Sequence, residues 1–276
     1  MKYLSTRGSG TSVSFEEAVL GGLAPDGGLY VPIEIPTISQ EILESWKDDS
    51  LPQVAFHLFR LYVDPSEISD LDLKRILDKS FATFSHPSVT PLQKLPSIGS
   101  GNLEHFWVLE LFHGPTFAFK DVALQVLGNL FEFFLDRKHG SARLTVLGAT
   151  SGDTGGAAIY GLRGKTGIDV FILHPKNRIS PVQELQMTTV LDSNVHNVAV
   201  EGSFDDCQEI VKTLFSDAPF KAKFNLGAVN SINWARILAQ MSYYYYSYFQ
   251  MAKSLGVTLT DARIQYRYFL VFSFIR

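Results

Sequence analysis

The segment from residue 144 to residue 214 alternates short apolar stretches with amphipathic ones. The predicted elements are strands at 144–147, 168–173 and 195–200 and helices at 154–162, 181–188 and 204–214. Strands that alternate with helices at this spacing form βαβ units, in which the strands run parallel and helices cover both faces of the sheet. The segment therefore predicts an α/β fold built on a parallel sheet.

Two of these helices carry start signals in the sequence. Ser180 and Gln183 have the spacing of a capping box, with Pro181 at the first helical position. Ser203 with Asp206 is a weaker version of the same pattern. Both pairs predict that the serine side chain caps the helix that follows it.

Apolar stretches flank the alternating region on both sides. Residues 106–112 predict a buried strand, and residues 121–135 predict a helix that is buried on nearly every side. The pattern from 233 to about 252 predicts a long helix. Residues 264–266 are expected to begin a further strand, followed by an apolar run whose edge is exposed unless another element pairs with it.

The first 95 residues are predicted to be mainly helical. Ser14 and Glu17 form a capping box, and Ser39 and Ser69 are placed to cap two further helices. Another helix is expected to begin at Leu51, where apolar residues recur at helical spacing.

A cluster of prolines separates the helical region from the α/β region. Pro87, Pro91 and Pro96 interrupt any regular element there. We therefore predict an N-terminal domain at 1–90 and an α/β domain at 91–276.

Composition excludes several functional classes. Lys and Arg number 24 against 28 Asp and Glu, a formal net charge of −4, so bulk charge predicts neither a nucleic-acid nor a membrane partner. The single cysteine, Cys207, excludes an internal disulfide framework, and no histidines have metal-ligand spacing, so no metal site is predicted. The sequence has neither a signal-peptide pattern at its start nor an uncharged apolar stretch of the ~18 residues that span a membrane. A cytoplasmic location is the resulting expectation.

The sequence VLGATSGDTGG at 146–156 passes from a strand through small residues into a helix. In a parallel sheet such a turn lies at the carboxyl end of its strand, where α/β folds bind ligands. Its glycines allow close approach of the backbone, and the N–H groups of the helix start favour an anion such as carboxylate or phosphate. Thr150, Ser151 and Thr154 add hydroxyl donors. The turn matches no nucleotide-binding fingerprint, and a glycine-rich turn capped by Asp153 is the alternative.

Lys120 has an unusual setting in the segment FHGPTFAFKD. It is flanked by Phe117, Phe119 and Val122 at the start of the predicted buried helix, and lysine is almost never fully buried unless it is paired. Burial makes a lysine amine less basic and more nucleophilic, as Schiff-base chemistry requires. The alternative is a lysine that reaches solvent and pairs with Asp121.

Polar residues also lead into the predicted long helix, in the segment NSINWAR at 230–236. Asn233 and Arg236 are candidates for an oxyanion or phosphate contact at a helix N-terminus. The alternative is an ordinary helix start with Arg236 on a solvated face. Lys176 follows the strand at 168–173 and adds a cation at the same edge of the sheet.

Taken together, LFHGPTFAFKD, ATSGDTGG and NSINWAR resemble threonine synthase of the pyridoxal-phosphate fold type II group. YLSTRG at 3–8 and LAPDGGLYVP at 23–32 resemble the N-terminal domain of that family, and the likeness is greatest to its longer, fungal-type members. The resemblance implies a tryptophan-synthase-β-like α/β fold, with a parallel sheet covered by helices on both faces and a mainly helical N-terminal domain before it.

The resemblance also implies a cofactor, a substrate and roles for individual residues. The cofactor is pyridoxal 5′-phosphate, bound to Lys120 through a Schiff base, and the substrate is O-phosphohomoserine. Lys120 then moves protons during the reaction, and Asp153 falls near the phenolic oxygen of the cofactor, where many relatives carry an asparagine. The residues implied for the substrate are Ser151, Gly152 and Thr154 at its carboxylate and Asn233, Arg236 and Lys176 at its phosphate.

The likeness ends near Tyr266. In the family, the strand that begins there runs into a Gly-Asn-Phe-Gly turn that holds the cofactor phosphate, and a large C-terminal part follows. No glycine occurs here after Gly256. The sequence therefore predicts an incomplete α/β domain that diverges after residue 266, lacks its C-terminal part and binds the cofactor weakly.

The function implied is that of a lyase: a threonine synthase that converts O-phosphohomoserine and water into threonine and phosphate, the last step of threonine biosynthesis. Two alternatives stay open. One is a phospho-lyase that eliminates phosphate from the same substrate and releases a keto acid; the other is a non-catalytic truncated remnant. The expected partner is the small-molecule substrate, and the expected state is a monomer or a homodimer.

Overall fold

The computed structural model describes residues 1–8, 10–95, 106–138, 142–229 and 231–259. Its elements, in chain order, are β1 (Tyr3–Ser5), α1 (Phe15–Gly21), β2 (Tyr30–Pro32), α2 (Gln40–Trp46), α3 (Leu51–Tyr62), α4 (Asp70–Phe81), β3 (Leu92–Lys94), β4 (Trp107–Leu109), α5 (Lys120–Asp136), β5 (Leu144–Ala149), α6 (Asp153–Leu162), β6 (Ile168–Pro175), α7 (Pro181–Thr188), β7 (Val195–Val200), α8 (Phe204–Ser216), α9 (Ala218–Phe224), β8 (Leu226–Gly227) and α10 (Trp234–Leu255). The strand expected at 264–266 lies outside the described residues.

A parallel sheet with the strand order β7-β6-β5-β8 forms the centre of the α/β region. Ala149 of β5 is in register with Leu173 of β6, and Pro175 of β6 is in register with Val200 of β7. These pairs mark the carboxyl edge of the sheet, from which the candidate turns project. The prediction of an α/β fold with a parallel sheet is confirmed, although β8 and α9 are too short to leave a periodic signal.

Helices cover both faces of this sheet, as predicted. On one face α8 packs against Leu147 and Leu173. On the other face α6 and α7 share a core with Val146, Val170 and Ile172. Burial of both faces explains why β5 and β6 read as nearly continuous apolar runs.

The helix α5 is buried on nearly every side, also as predicted, and packs against α4, α6 and α10. Its approach to α6 is so close that a Cβ added at Gly128 would lie 2.0 Å from the carbonyl oxygen of Gly161. A Cβ added at Gly161 would lie 2.6 Å from the carbonyl oxygen of Leu124. This contact draws α5 and α6 together, and their first residues, Lys120 and Asp153, come within hydrogen-bonding distance.

The N-terminal region is mainly helical, and its predicted helix starts are confirmed. Ser14 and Glu17 form the capping box of α1, and the Ser39 and Ser69 side chains accept cap hydrogen bonds from α2 and α4. The sequence patterns missed the antiparallel pair β1–β2, because strands of three residues are too short to show alternation.

Phe15 joins the N-terminal helices to α5. Its ring centroid lies 6.4 Å from that of Phe59 in α3 and 6.3 Å from that of Phe134 in α5. All three side chains are buried. A continuous core therefore includes residues from both predicted domains, and the division at residue 90 stays a prediction.

The strand predicted at 106–112 is confirmed only over Trp107–Leu109, and its predicted burial is wrong. This strand pairs antiparallel with Leu92–Lys94, outside the parallel sheet. Its residues are half-buried, and Phe106 and Phe112 are exposed. An apolar run predicts an extended segment but does not identify the strand with which it pairs.

The two capping boxes predicted in the α/β region have opposite outcomes. The Ser180 side chain makes no cap hydrogen bond at α7, so that prediction is wrong. Ser203 and Asp206 form a complete capping box at α8. The Gln183 amide, which was expected to bond back to Ser180, lies instead against Gly152.

Among the helices of the described residues, none has the length and apolar character needed to cross a membrane.

Candidate active site

The turn between β5 and α6 is shaped by the side chain of Thr150. Its Oγ1 accepts hydrogen bonds from the backbone N–H groups of Gly152 at 3.1 Å and Gly155 at 2.9 Å. The backbone N–H of Thr150 donates to the Leu173 carbonyl of β6 at 2.9 Å. The Thr150 hydroxyl is therefore engaged inside the turn and fixes the path of the backbone from the sheet into α6.

Gln183 of α7 closes one side of the turn. A Cβ added at Gly152 would lie 2.6 Å from Gln183 Oε1, so only glycine lets this amide pack directly against the backbone. Sequence reasoning missed the contact because it paired Gln183 with Ser180. No local signal identifies it, since the two residues are brought together by the packing of α6 against α7.

Lys120 and Asp153 form an ion pair at the carboxyl edge of the sheet. Lys120 Nζ lies 2.7 Å from Asp153 Oδ2, and the side chains are 19% and 34% exposed. The Lys120 ammonium also lies 4.7 Å from the centroid of the Phe119 ring. The amine is thus partly sheltered, and solvent still reaches it.

Two expectations for this region are corrected by that geometry. Asp153 does not cap α6, because its carboxylate pairs with Lys120 and the N-cap residue Gly152 has no side chain. Lys120 is also not enclosed by aromatic rings: Phe117 and Phe119 are both exposed, and only Phe119 makes a cation–π contact with it.

The alternative in which Lys120 pairs with Asp121 is also wrong. The Asp121 carboxylate is fully buried and points towards the preceding loop, where it accepts hydrogen bonds from the backbone N–H of Thr116 at 2.8 Å and from its hydroxyl at 2.6 Å. Burial raises the pKa of Asp121, although the hydrogen bonds from Thr116 oppose that shift. A Cβ added at Gly114 would lie 2.5 Å from Asp121 Cβ. Asp121 therefore ties down the loop that leads into Lys120.

Ser151, Thr154 and Lys176 lie at the same edge of the sheet. Ser151 is exposed and Thr154 is half-buried, with its Oγ1 at 3.5 Å from Asp153 Oδ1. Lys176 follows the end of β6 and pairs with the exposed Glu201 at 2.8 Å. The structure thus brings the Lys120 amine, the Asp153 carboxylate and the hydroxyls of Ser151 and Thr154 together at the start of α6, while Lys176 lies at the same edge of the sheet with Glu201 as its partner.

Asn233 and Arg236 are placed differently. Asn233 caps α10 through Oδ1, which accepts from the Ala235 N–H at 3.0 Å, while its Nδ2 donates to the Val19 carbonyl of α1 at 2.8 Å. Arg236 is 2% exposed, so the alternative that placed it on a solvated face is wrong. Burial lowers its pKa to about 10. Asn233 therefore serves the packing of α10 on α1, and its role toward a substrate stays a prediction.

Comparison with known proteins supplies the family. Residues 2–81 match the family model described as threonine synthase N terminus, and residues 83–258 match the one described as pyridoxal-phosphate dependent enzyme. The chain belongs to the pyridoxal-phosphate dependent enzyme family. The second match covers more than half of the chain, and the resemblance to threonine synthase is confirmed.

Individual relatives agree with this assignment. Threonine synthase from Schizosaccharomyces pombe is 58% identical over 92% of this chain and 49% of its own length. The crystal structure of threonine synthase from yeast has a TM-score of 0.85 at 54% identity and covers 91% of this chain and 50% of that one. The structure of pyridoxal-phosphate-bound threonine synthase from Brucella melitensis has a TM-score of 0.81 at 45% identity, covering 93% and 52%. The chain spans about half the length of the relatives that it matches.

The residues around Lys120 fit the aldehyde end of pyridoxal phosphate, the cofactor of this family. A primary amine that is partly exposed at the carboxyl edge of a parallel sheet is the group that a Schiff base needs. Asp153 lies beside that amine and supplies a single negative charge next to it. The described residues therefore include an amine and a polar neighbour that fit the reacting end of the cofactor.

Proposed function

We propose that this protein is a threonine synthase, which uses pyridoxal phosphate to convert O-phosphohomoserine and water into threonine and phosphate. The observation that supports the proposal best is the 2.7 Å contact between Lys120 and Asp153. This contact places the Lys120 amine beside the turn before α6, which is suited to bind an anion. An amino-acid substrate requires the amine for the chemistry and the turn for its carboxylate.

The cofactor, when bound, supplies an aldehyde for Lys120 and a ring that accepts electrons from the α-carbon of the substrate. Lys120 has the protein's role in proton transfer: its amine removes the α-proton and returns a proton later in the reaction. The loop held by Asp121 keeps the start of α5 in place, so the Lys120 amine is aimed at the turn before α6.

The start of α6 is proposed to bind the substrate carboxylate. Thr150 Oγ1 accepts from the N–H groups of Gly152 and Gly155, and Gln183 packs against Gly152, so the backbone of the turn is fixed before a ligand arrives. Ser151 and Thr154 would add hydroxyl donors beside it. The substrate phosphate would be met by cations, for which Lys176 and Arg236 are the proposed residues.

We place the protein in the cytoplasm, acting on a small-molecule substrate as a monomer or a homodimer. The phospho-lyase alternative uses the same residues up to the loss of phosphate, so the product of the reaction distinguishes the two activities.

The experiment that tests the proposal uses a chimera, because the chain spans half of its relatives. Residues 3–258 replace the matching part of the S. cerevisiae threonine synthase, which is 55% identical to this chain. We expect phosphate release with stoichiometric threonine, and no turnover when the chimera carries Lys120→Ala. Phosphate release with a keto acid would support the phospho-lyase. A folded chimera that takes up pyridoxal phosphate and releases no phosphate would contradict both activities.

A further inference from the structure

The side-chain amide of Gln183 lies where the side chain of a helix cap would lie. Gly152 is the N-cap residue of α6 and has no side chain of its own. A Cβ added at Gly152 would lie 2.6 Å from Gln183 Oε1, 3.0 Å from its Cδ and 3.1 Å from its Nε2. The whole amide group, rather than one atom of it, is therefore packed against the start of α6.

Packing, and not a hydrogen bond, holds this amide in place. Gln183 is half-buried, and the described residues provide no hydrogen-bond partner for its side chain. Gln186, one turn later in α7, differs in that its amide donates to the Thr116 carbonyl at 3.5 Å. A glutamine amide has two N–H donors, and donors that are withdrawn from water are costly without an acceptor. The Gln183 amide is therefore available to a ligand that reaches the turn.

Backbone donors lie beside that amide at the start of α6. The first N–H groups of a helix have no acceptor inside the helix. The Gly155 N–H is bonded to Thr150 Oγ1, but none of the described residues accepts a hydrogen bond from the N–H of Asp153 or of Thr154. The exposed hydroxyl of Ser151 adds a further donor. An anion at this position would therefore meet several donors that are all uncharged.

The helix that presents Gln183 is fixed in its position. Met187 of α7 is fully buried, and a Cβ added at Gly155 would lie 2.6 Å from its Sδ. The Gln186 amide bonds to the loop that leads into Lys120. α7 is thus held against both the turn and this loop, so the Gln183 amide is in place before a ligand binds.

We propose that Gln183 is a substrate-binding residue whose side-chain N–H donates to the carboxylate of the amino-acid substrate. The inference rests on the proposed function for the identity of that substrate. It adds a donor from α7 to the donors that the turn before α6 supplies itself. Because the donor is neutral, it binds an anion through a directed hydrogen bond, and a carboxylate side chain in its place would repel that anion.

Nuclear magnetic resonance of the 276-residue chain tests this contact directly. Glutamine side chains are labelled with ¹⁵N, and the signal of Gln183 is the one that is missing from Gln183→Met. One probe is L-α-aminobutyrate, which has a carboxylate but no phosphate, and its neutral counterpart is L-α-aminobutyramide. We expect the side-chain signal of Gln183 and the backbone signal of Thr154 to shift saturably with L-α-aminobutyrate and much less with the amide.

Two substitutions separate hydrogen bonding from packing. Gln183→Met keeps the length of the side chain without its N–H groups. We expect it to raise the Kd of L-α-aminobutyrate, followed at the Thr154 N–H, about tenfold, near the lower end of what a hydrogen bond to a charged group supplies. Gln183→Glu should raise that Kd further and leave the Kd of the neutral probe nearly unchanged. Gln40→Glu adds the same charge at an exposed residue of α2 and should change neither Kd.

Steady-state kinetics of the chimera supply a second readout. Gln183→Glu should raise the KM for O-phosphohomoserine by about tenfold or more and lower kcat less, because the amide contacts a group that does not change in the reaction. An unchanged KM in an active chimera would contradict the inference. A wild-type chimera that makes no threonine would contradict the proposed function instead, and the titrations of the chain would still decide the role of Gln183.

Three results of the titrations would overturn the inference. One is the absence of a saturable shift of the Gln183 signal with L-α-aminobutyrate. Another is an equal loss of affinity for both probes in Gln183→Glu, which would assign the side chain to the packing of the turn. The third is a Gln183 signal that moves with inorganic phosphate and not with L-α-aminobutyrate, which would assign the amide to the other anion of the substrate.

Discussion

The carboxylate of Asp121 binds both the backbone N–H and the hydroxyl of Thr116, five residues earlier in the chain. Asp121 is fully buried and follows Lys120 directly. Within the loop, the Phe117 N–H also donates to the Gly114 carbonyl, and Phe117 adopts a φ of 61°. A rigid loop, held by one buried acid, thus carries the amine to the edge of the sheet.

This arrangement predicts a pH-dependent stability. Burial raises the pKa of Asp121 in the folded protein above its value in the unfolded chain, so the folded state binds more protons than the unfolded state between those two values. The contribution of Asp121 to stability is therefore present below about pH 4 and is lost as the pH rises through the folded pKa. Urea unfolding at several pH values should show this decline in the wild type but not in Asp121→Asn.

Asp136, an exposed residue near the end of the same helix, supplies the control. Asp136→Asn removes an exposed carboxylate from the same helix and should show the same decline as the wild type, because it leaves Asp121 in place. Below about pH 4 Asp121→Asn should be about as stable as the wild type, because its amide oxygen accepts from the Thr116 N–H and its amide N–H can donate to the Thr116 hydroxyl, as the protonated carboxyl does. Parallel pH profiles for the wild type and Asp121→Asn would contradict the assignment.

We predict that pyridoxal phosphate reacts with Lys120. Borohydride reduction of the cofactor-loaded chain, followed by peptide mapping, should place the label on the peptide that contains Lys120. Lys120→Arg keeps the positive charge beside Asp153 but cannot form the Schiff base, so it should abolish that label. Label that remains on Lys94 or Lys138 in both proteins would show that the reactive lysine lies elsewhere.

The sequence predicts the helices and strands well where their signals are local. Ser14, Ser39 and Ser69 cap helices that begin where they were expected, because a cap involves residues only three positions apart. The strand at 168–173 is predicted for a similar reason, because burial on both faces produces an apolar run that needs no knowledge of the partner. The strand at 195–200 is partly exposed and includes His196 and Asn197, and it is predicted from its place in the alternation of strands and helices.

The candidate site is less predictable because its contacts are not local. Lys120 and Asp153 are 33 residues apart, and they meet because Gly128 and Gly161 let α5 and α6 pack closely. Proximity in the sequence favours Asp121 as the partner of Lys120. In the structure the Asp121 side chain points towards Thr116 and the Lys120 side chain points towards Asp153. The predicted capping box of Ser180 and Gln183 is wrong for the same reason. The packing of the Gln183 side chain against Gly152 is favoured over a capping hydrogen bond, which is worth about 1 kcal/mol.

Replacement of Thr154 and replacement of Thr150 by valine should have different effects on turnover and on cofactor absorbance. Thr154→Val removes a hydroxyl that is proposed to bind the substrate carboxylate, so turnover of the chimera should fall about tenfold to a hundredfold. Its absorbance near 410–420 nm, roughly where a Schiff base of the cofactor absorbs, should be preserved. Steady-state phosphate release and an absorption spectrum measure the two effects on the same sample.

Thr150→Val is the matched comparison. It removes the oxygen that accepts from Gly152 and Gly155 inside the turn, so stability and cofactor absorbance should decrease together with activity. Equal losses of absorbance and activity in Thr154→Val would instead assign Thr154 to the structure of the turn.

The contact between α5 and α6 should be intolerant of even one methyl group. A Cβ at Gly128 would lie 2.0 Å from the Gly161 carbonyl oxygen, and backbone cannot move away without separating the two helices. We expect Gly128→Ala to destabilise the chain by about 3 kcal/mol or more, as overpacking at a rigid contact does. Urea unfolding of the wild type and the variant measures this loss.

Gly156→Ala, one turn into α6, is the control, since a Cβ there meets its nearest neighbour, Gln186 Oε1, at 3.9 Å. Alanine favours a helix over glycine by up to about 1 kcal/mol, so this variant should be as stable as the wild type or slightly more stable. Urea unfolding measures the stability of Gly128→Ala and Gly156→Ala. If both variants lose stability equally, these helices need glycine for a reason other than the close approach of α5 and α6.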